Sequence, residues 1–515
     1  MTCAINKIDS NVTAIYMAEE ECIKTLPGTA EADAVWYEIE ANSYLDFGGE
    51  VSRTQRAPIT FDRQNRMGAV TDIAAAGGFN LDVTQNNMQR ALQGFFFADI
   101  REPATTKPMN AAQVTVSAVT SGTKTYTVGS GGTAFTAGQL IFCEGFTNAA
   151  NNGVKTVASS TGTTVVVTET VVTETPASTA KFGRCGREFA SADIDIAVTS
   201  GIPSLVSTIA DFTTMAELIP GAWIFIGGDA VGTTFANNVG FARISTIAAN
   251  AIVFDDTTWT PVTEAGTGKT IRIFSGSILK NENTRALIKR RSYNIERQLG
   301  DGATATQAEY LIGAVPNEFS ISIPQSDKVT ANLSFVACDT ATKTGESGDE
   351  IKAGTRVAAL GEDAFNTATD IYRTKLAVID PTTSAPTALF GYVSESSVSI
   401  SNGISANKAV GVLGAFDMSA GNFTVGGSVD AYFTTIAAVA AVRNGSDVGY
   451  SVIASSQNAG FVYDIPLLGL SGGRLNVVKD QPVKLPLTPS GAKNSNGYTL
   501  LYTSFAYLPD VAMAG

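Results

Sequence analysis

Histidine is absent from the 515 residues. That excludes the Ser-His-Asp and Cys-His arrangements of nucleophilic catalysis and every imidazole metal site, and it removes the commonest general base near neutral pH. Only carboxylate- or lysine-based catalysis is left open. Cysteine is scarce: Cys3, Cys22, Cys143, Cys185 and Cys338 show no CxxC and no metal-ligand spacing. An odd number cannot pair completely within one chain, so free buried thiols made in a reducing cytoplasm are expected. Charge is sparse, at 16% of residues, and its balance is acidic, with a net charge of -13. A protein that wraps nucleic acid needs clustered Lys and Arg against the phosphates, and this composition argues against one. Long apolar runs are missing too. The best candidate, Ile436 to Val442, stops at Arg443, far short of the roughly 18 residues of a membrane span. The N-terminal stretch, with Asp9 and the run Glu19 to Glu21, lacks the basic and then apolar layout of a secretion signal. Synthesis in the cytoplasm without general export is the expectation.

What the chain does have is Gly, Thr, Ser, Ala and Val, with 49 glycines. That is the composition of many short strands joined by tight turns. The length allows roughly three or four domains at about 100 to 200 residues each.

One pattern occurs twice. Ile73, Ala75, Gly77, Phe79, Leu81 and Val83 alternate along an extended segment, and Asn86 to Phe97 then switches to helical spacing. Far downstream, Phe423, Val425, Gly427, Val429, Ala431 and Phe433 alternate likewise, followed by an Ala-rich helix over Thr434 to Arg443. Period two giving way to period 3.6 is a strand feeding a helix. The repetition predicts a duplicated β domain with one small helix per copy. Before the first copy, after a strand region with Trp36, Tyr37, Ile39 and Tyr44, a polar stretch holds Arg53, Arg56, Pro58, Arg63 and Arg66. A hairpin with a long basic loop accounts for it, and loops of that length tend to be functional or disordered. Its counterpart in the second half is Asn402 to Gly414, with Lys408.

Between about Ala111 and Ile278 a second repeat appears. Phe135, Gly138, Leu140, Ile141, Phe142, Gly145 and Phe146 lead to Asn151-Asn152-Gly153, a valine-rich strand and Lys181 to Arg184. Leu218, Gly221, Trp223, Ile224, Phe225, Gly227 and Gly228 lead to Asn237-Asn238-Val239-Gly240, Ile252 to Phe254 and Lys269 to Arg272. Two tandem modules of about 80 residues, each a small all-β barrel or sandwich, are therefore predicted as an insert. Past it, Ala286 to Leu299, Ala308 to Val315, Glu318 to Ile323 and Val329 to Ala337 read as strands, and Asp339 to Asp349 as a linker.

Candidate chemistry is thin. Thr263 to Thr270 reads T-x-x-x-x-G-K-T, but a phosphate-binding loop needs Gly at its first position and a helix after it. A strand is expected there instead, so nucleotide binding is excluded. Lys289, Arg290, Arg291 and Arg297 form a basic cluster whose alternation on a strand would split it between two faces. A salt-bridged strand is favoured over DNA contact. The pairs Asp193 and Asp195, Asp255 and Asp256, and Glu346 and Asp349 lack calcium-loop spacing and read as surface charge. Phe95 to Phe97 read as a buried or subunit-facing plug.

With these features the chain resembles the tail tube proteins of long-tailed, non-contractile bacteriophages. The stretches that carry the resemblance are VSRTQRAPITFDRQ with the following GGFNLDV, then SYNIERQ, and GNFTVGGSVDAYF in the second half. It covers roughly half the chain, over Trp36 to Asp99, Glu282 to Asp339 and Val393 to Pro509. It implies a mainly β chain: duplicated tail-tube-type β-sandwich or barrel domains, each with one short helix, plus two tandem small all-β insert modules. The implied layout is residues 1–109 as the first part of one tube domain, 110–190 and 191–279 as the modules, 280–345 as the second part, and 346–515 as a second tube domain. Sheets of neighbouring subunits would join edge to edge in a ring of three chains, or six as the alternative, with the modules projecting outward. Arg53, Arg56, Arg63, Arg66 and Lys408 would form the inter-ring contact loop. Rings would stack around an acidic lumen through which DNA passes without specific binding. The implied partners are the chain itself and the tape measure, tail terminator and tail tip proteins, with no membrane, no metal, no cofactor and no catalysis. The protein would be made in the host cytoplasm and reside in the virion tail. A β-modular adhesin or glycan-binding protein is the alternative, and a carboxylate-based glycoside hydrolase the third class.

Overall fold

The computed structural model describes residues 8, 13–102, 113–132, 135–215, 217–300, 307–378, 387–456 and 458–513. Cys3 and the expected boundary at 109/110 lie outside them. The fold is mainly β, with two α-helices among the described residues, α1 (Met88–Phe96) and α2 (Ala437–Asn444). The chain divides into two compact units: residues 1–97, 288–367 and 395–429 form unit 1, and residues 98–287, 368–394 and 430–515 form unit 2.

In unit 1 the strand Thr13–Glu19 pairs with Val35–Ile39 on one side and Tyr293–Leu299 on the other. Tyr293–Leu299 in turn pairs with Gln307–Ile323. This last strand was expected as two. It is one, bent at a bulge between Pro316 and Glu318, as a proline without an N–H to donate allows. The bend lets its first half pair with Asp339–Lys343 and its second half with Thr330–Ala337. Asp339 to Lys343, expected as linker, is therefore strand.

Alternation in Arg66–Asp82 places Ala75, Gly77, Phe79 and Leu81 inward, where Phe79 stacks on Phe335 at 5.8 Å between ring centroids. Helix α1 covers this core. Phe95 meets Phe319 at 5.7 Å and Phe335 at 5.5 Å, and a Cβ on Gly94 would collide with Tyr293 and Pro316. The helix stops where Phe97 turns left-handed and its N–H donates to the carbonyls of Gln93 and Gly94, the usual way of satisfying terminal carbonyls.

Unit 2 contains a sheet with the same order of neighbours. Ile371–Val378 pairs with Val448–Ser456, and that with Ala459–Gly472. The first half of Ala459–Gly472 pairs with Leu501–Phe505 and its end with Lys484–Gly491. Even the short outer strand recurs, with Thr387–Ala388 on Ile371–Val378 standing where Val35–Ile39 stands in unit 1.

The stretch between the first two segments of unit 1 starts and ends at one point. Arg101 and Ile278 exchange backbone hydrogen bonds of 3.0 and 2.8 Å, and the Arg101 guanidinium meets Glu282 at 2.7 Å. Within it, six strands (Val114–Thr120, Thr125–Val128, Gln139–Glu144, Gly153–Ser160, Thr164–Val167 and Lys181–Glu188) close into a barrel. The first pairs with the second, then fifth, fourth, third and sixth follow, and the sixth returns to the first. The next six (Asp195–Thr199, Ile202–Val206, Trp223–Ile226, Gly240–Ala248, Ala251–Thr257 and Arg272–Ser275) pair in the same sequence from first to sixth. The two sixth strands pair with each other through Gly186↔Phe274. Each six-strand set has its own apolar core, around Tyr126 and Phe182 in the first and around Phe212 and Phe254 in the second.

The modules are not free-standing. Trp223, Phe225, Phe241 and Phe274 share a buried core with Ile453, Val462, Tyr498, Leu501 and Phe505 of the unit 2 sheet. Beside it, Arg243 meets Asp464 at 3.0 Å and Asp255 at 2.7 Å, while Asp256 meets Arg373 at 3.1 Å and Lys375 at 2.9 Å. Of the cysteines, Cys143, Cys185 and Cys338 are buried and unpaired as expected. Cys22 is exposed, which corrects the expectation of burial.

Candidate assembly surfaces

The long basic hairpin is formed by Ala41–Arg56 and Arg66–Asp82, paired from Ala41↔Leu81 out to Arg56↔Arg66. Towards its tip both faces are exposed, because the alternation that buries Phe79 and Leu81 gives way to polar residues on both sides. The tip is locally ordered. The Thr60 hydroxyl donates to the Asp62 carboxylate at 2.5 Å, the Gln64 N–H donates to the same oxygen at 3.4 Å, and the Arg63 N–H donates to the Thr60 carbonyl at 3.1 Å. The Thr60 hydroxyl, helped by the Gln64 N–H, holds the Asp62 carboxyl below its usual range. Arg53, Arg56, Arg63 and Arg66 are all exposed along this arm, with Asp62 the single acid among residues 53–66.

Lys408 lies elsewhere. It sits between the short paired strands Ser405–Asn407 and Asp417–Ser419, and its ammonium is ion-paired to Asp72 on the flank of the hairpin.

Ala41–Arg56 hydrogen-bonds along one edge only among the described pairings. An open edge is a template for another strand. Unit 1 shows such an edge covered, since the second half of Gln307–Ile323 pairs through Glu318 to Ile323 with Ser396 to Ser401.

The remaining sequence candidates resolve into structural roles. In Thr263 to Thr270 the Lys269 ammonium meets Glu264 at 2.6 Å, Thr263 accepts from the Val198 N–H at 3.3 Å, and the strand Arg272–Ser275 follows. No helix N-terminus or amide cradle forms there. Lys289 to Arg291 precede the strand Tyr293–Leu299 rather than lying on it, so the expected split between two faces does not arise. Arg291 meets Glu19 at 3.0 Å, Arg290 donates to the Met418 carbonyl, and Arg297 pairs with Glu309. Asp195 accepts from the Gly266 N–H at 2.8 Å, Asp349 meets Lys343 at 3.1 Å, and Asp255 and Asp256 belong to the buried ion network. Among the described residues no group of three or more Cys, Asp or Glu could hold a metal ion. Phe95 and Phe96 are buried, the latter against Phe423 at 5.8 Å.

Sequence reasoning missed the staple common to both modules. In the first, the buried Asn151 amide donates to the Val172 carbonyl at 2.9 Å and to Glu174 at 2.7 Å, and accepts from the Val172 N–H at 2.8 Å. In the second, Asn238 does the same with the Val262 carbonyl (2.8 Å), Glu264 (2.9 Å) and the Val262 N–H (3.0 Å). Each glutamate also accepts backbone N–H bonds from the turn before its asparagine: Thr147 and Asn148, or Ala236 and Asn237. Burial alone would raise these carboxyls. The N–H donors outweigh it, and in Glu264, helped by Lys269, they hold the pKa down to about 2. The signal in the sequence is Asn-x-Gly at 151–153 and 238–240 with a glutamate shortly after the second strand that follows. The Asn-Asn pairs at 151–152 and 237–238 match each other one residue out of that register.

These features define a β-built structural protein with an extended arm and an open sheet edge. A family model described as phage tail tube protein matches residues 210–495, more than half of the 515. The chain belongs to the phage tail tube protein family, and so is a structural component of the bacteriophage tail that self-assembles into a tube with other tail proteins. No individually curated protein matches the chain.

Proposed function

We propose that this chain is the major tail tube subunit, and that three copies form each ring by supplying six sibling wall domains, one pair per chain. The observation that carries the stoichiometry is the repeated pairing order. Thr13–Glu19, Tyr293–Leu299 and Gln307–Ile323 with its two successive partners in unit 1 recur as Ile371–Val378, Val448–Ser456 and Ala459–Gly472 with its two partners in unit 2. Open edges such as that of Ala41–Arg56 are completed by neighbouring copies, because ring closure removes edges that would otherwise aggregate. Stacked rings enclose a lumen for DNA in transit. The acidic balance, -13 over the chain, keeps phosphates off the wall.

In this reading residues 1–109 and 280–345 supply one wall domain and 346–515 the other, except that 346–367 and 395–429 pack in unit 1 and 280–287 in unit 2, and 110–190 and 191–279 are the two modules, carried outward. Arg53, Arg56, Arg63 and Arg66 contact the next ring, with Lys408 bracing the arm through Asp72. The chain is made in the host cytoplasm, catalyses nothing, and meets the tape measure, tail terminator and tail tip proteins at the ends of the tube. Native mass spectrometry of assembled rings tests this. A ring mass of three times the 53.6 kDa chain supports it, and six chains per ring contradicts it.

A further inference from the structure

The tip of the hairpin carries two fully exposed large apolar side chains, Ile59 and Phe61, with Met67 close behind. Residues so placed cost solubility unless something covers them. At the other end of the strand Arg66–Asp82, unit 1 has a cavity of about 240 Å³. Tyr37, Leu81, Arg90, Val357 and Leu360 are among its walls, and Glu38, Glu40 and Glu362 are acidic groups on it. It is roomy enough for an aromatic side chain.

Its walls are preorganised. The Arg90 guanidinium lies over the Tyr37 ring at 3.4 Å. Glu362 accepts from the Thr84 hydroxyl at 2.9 Å and from the Asn86 N–H at 2.8 Å, and Glu38 accepts from the Ala359 N–H at 3.2 Å. Leu360 is largely exposed at the cavity.

We propose that the hairpin tip of one copy docks in this cavity of a second copy, with Phe61 and Ile59 entering and the arginines facing the acidic groups. Three observations converge on a second copy as the occupant. The arm is basic and the cavity acidic, so the charges complement each other. The arm carries the exposed apolar groups and the cavity has apolar walls. Finally, the two surfaces lie at opposite ends of one 17-residue strand, about 55 Å apart at roughly 3.3 Å per residue. A contact between different patches at opposite ends of a molecule is heterologous, and where its rotation does not close a ring it propagates as an open stack. The proposal rests on the tube reading and names where the inter-ring arm ends.

The test uses the full chain with Cys3→Ser and Cys22→Ser as background. Phe61→Cys and Leu360→Cys chains are purified separately, mixed, assembled and oxidised, and in parallel an Ile59→Ala/Phe61→Ala chain is assembled alone. The expected results are a cross-linked pair only in the mixture, and at least tenfold fewer sedimenting stacks from the alanine variant while single rings persist. Its melting temperature should match wild type, since both side chains are solvated in the isolated chain. Intact stacks without the cross-link, or stacks of normal length from the alanine variant, overturn the docking and leave the tube reading standing. A wild-type chain that builds neither rings nor stacks contradicts the tube reading, and the docking falls with it.

Discussion

The two inserted modules share one strand order and one Asn–Glu staple, yet the first closes its barrel, whereas among the described pairings the second has no ladder between its first and sixth strands. Their outer faces differ as well. Gly153 and Gly240 begin equivalent strands, so Val154 of the first module corresponds to Phe241 of the second. Phe241 is buried, 4.9 Å from Phe225, 5.1 Å from Tyr372 and 5.7 Å from Phe505 between ring centroids. Val154 lies half-buried at the margin of the same cluster. The first module reaches the same core through the buried Leu140 and Cys185, so a repeat keeps the interior that folds it while substitutions on its outer face decide how deeply each position is buried.

The largest effect that could break this comparison is at that pair of positions. Phe241→Ala should destabilise unit 2 by about 3–5 kcal/mol, the usual range for emptying a buried aromatic site. Val154→Ala should cost clearly less in the same denaturant titration. Equal losses would mean that the first module is anchored as firmly as the second.

The staple comes next. Glu264→Ala leaves the buried Asn238 amide and the Ala236 and Asn237 donors short of an acceptor, and should cost about 2–3 kcal/mol, as for charged hydrogen bonds. Glu174→Ala should act in the same direction and less strongly, because among the described residues its carboxylate has no lysine partner comparable to Lys269. A silent Glu264→Ala would show that the shared network is incidental.

Acid sharpens the comparison further. Glu264 is depressed from its ordinary 4.5 to about 2. Its stabilisation is therefore complete above the ordinary glutamate range and lost as pH falls from about 4.5 towards 2. Asp464 has the opposite sign. Burial outweighs Arg243 and raises it from 3.8 to about 6, so its contribution is present at low pH and is lost as pH rises through 6. Melting temperatures across pH 2 to 7 should show Glu264→Gln flattening the acid limb and Asp464→Asn flattening the limb between pH 4 and 6.

The smallest effect separates the two matching lysines. Lys269→Ala should cost about 0.5–1 kcal/mol through its partly buried bond to Glu264. Lys181→Ala, whose bond to Glu144 is longer at 3.3 Å and half-exposed, should be near zero.

Much of the β architecture was legible because it is periodic. Phe79 and Leu81 alternate inward as their spacing required, and the helices expected at Asn86 to Phe97 and Thr434 to Arg443 occur as Met88–Phe96 and Ala437–Asn444. Features set by distant partners were not legible. Asp339 to Lys343 has the composition of a linker and becomes strand only because Ala308 to Ile312 faces it. Pro316 suggested a break between strands, and the bulge turned it into a bend. The neighbours of Lys289 to Arg291 alternate as a strand does, whereas bonds to Glu19 and Met418 fix these residues as a lead-in to the strand. The cavity at Tyr37 and Leu360 joins residues more than three hundred positions apart, and no local pattern announces it.

The central claim is that two sibling sheets in each chain build a six-domain wall from three chains. Electron cryomicroscopy of tubes assembled from the purified protein measures this directly through their rotational symmetry. The account predicts a hollow tube with threefold rings, each showing six similar wall densities and two modules per chain outside them. Sixfold rings of whole chains, or particles that stay monomeric in the presence of the other tail proteins, would contradict it.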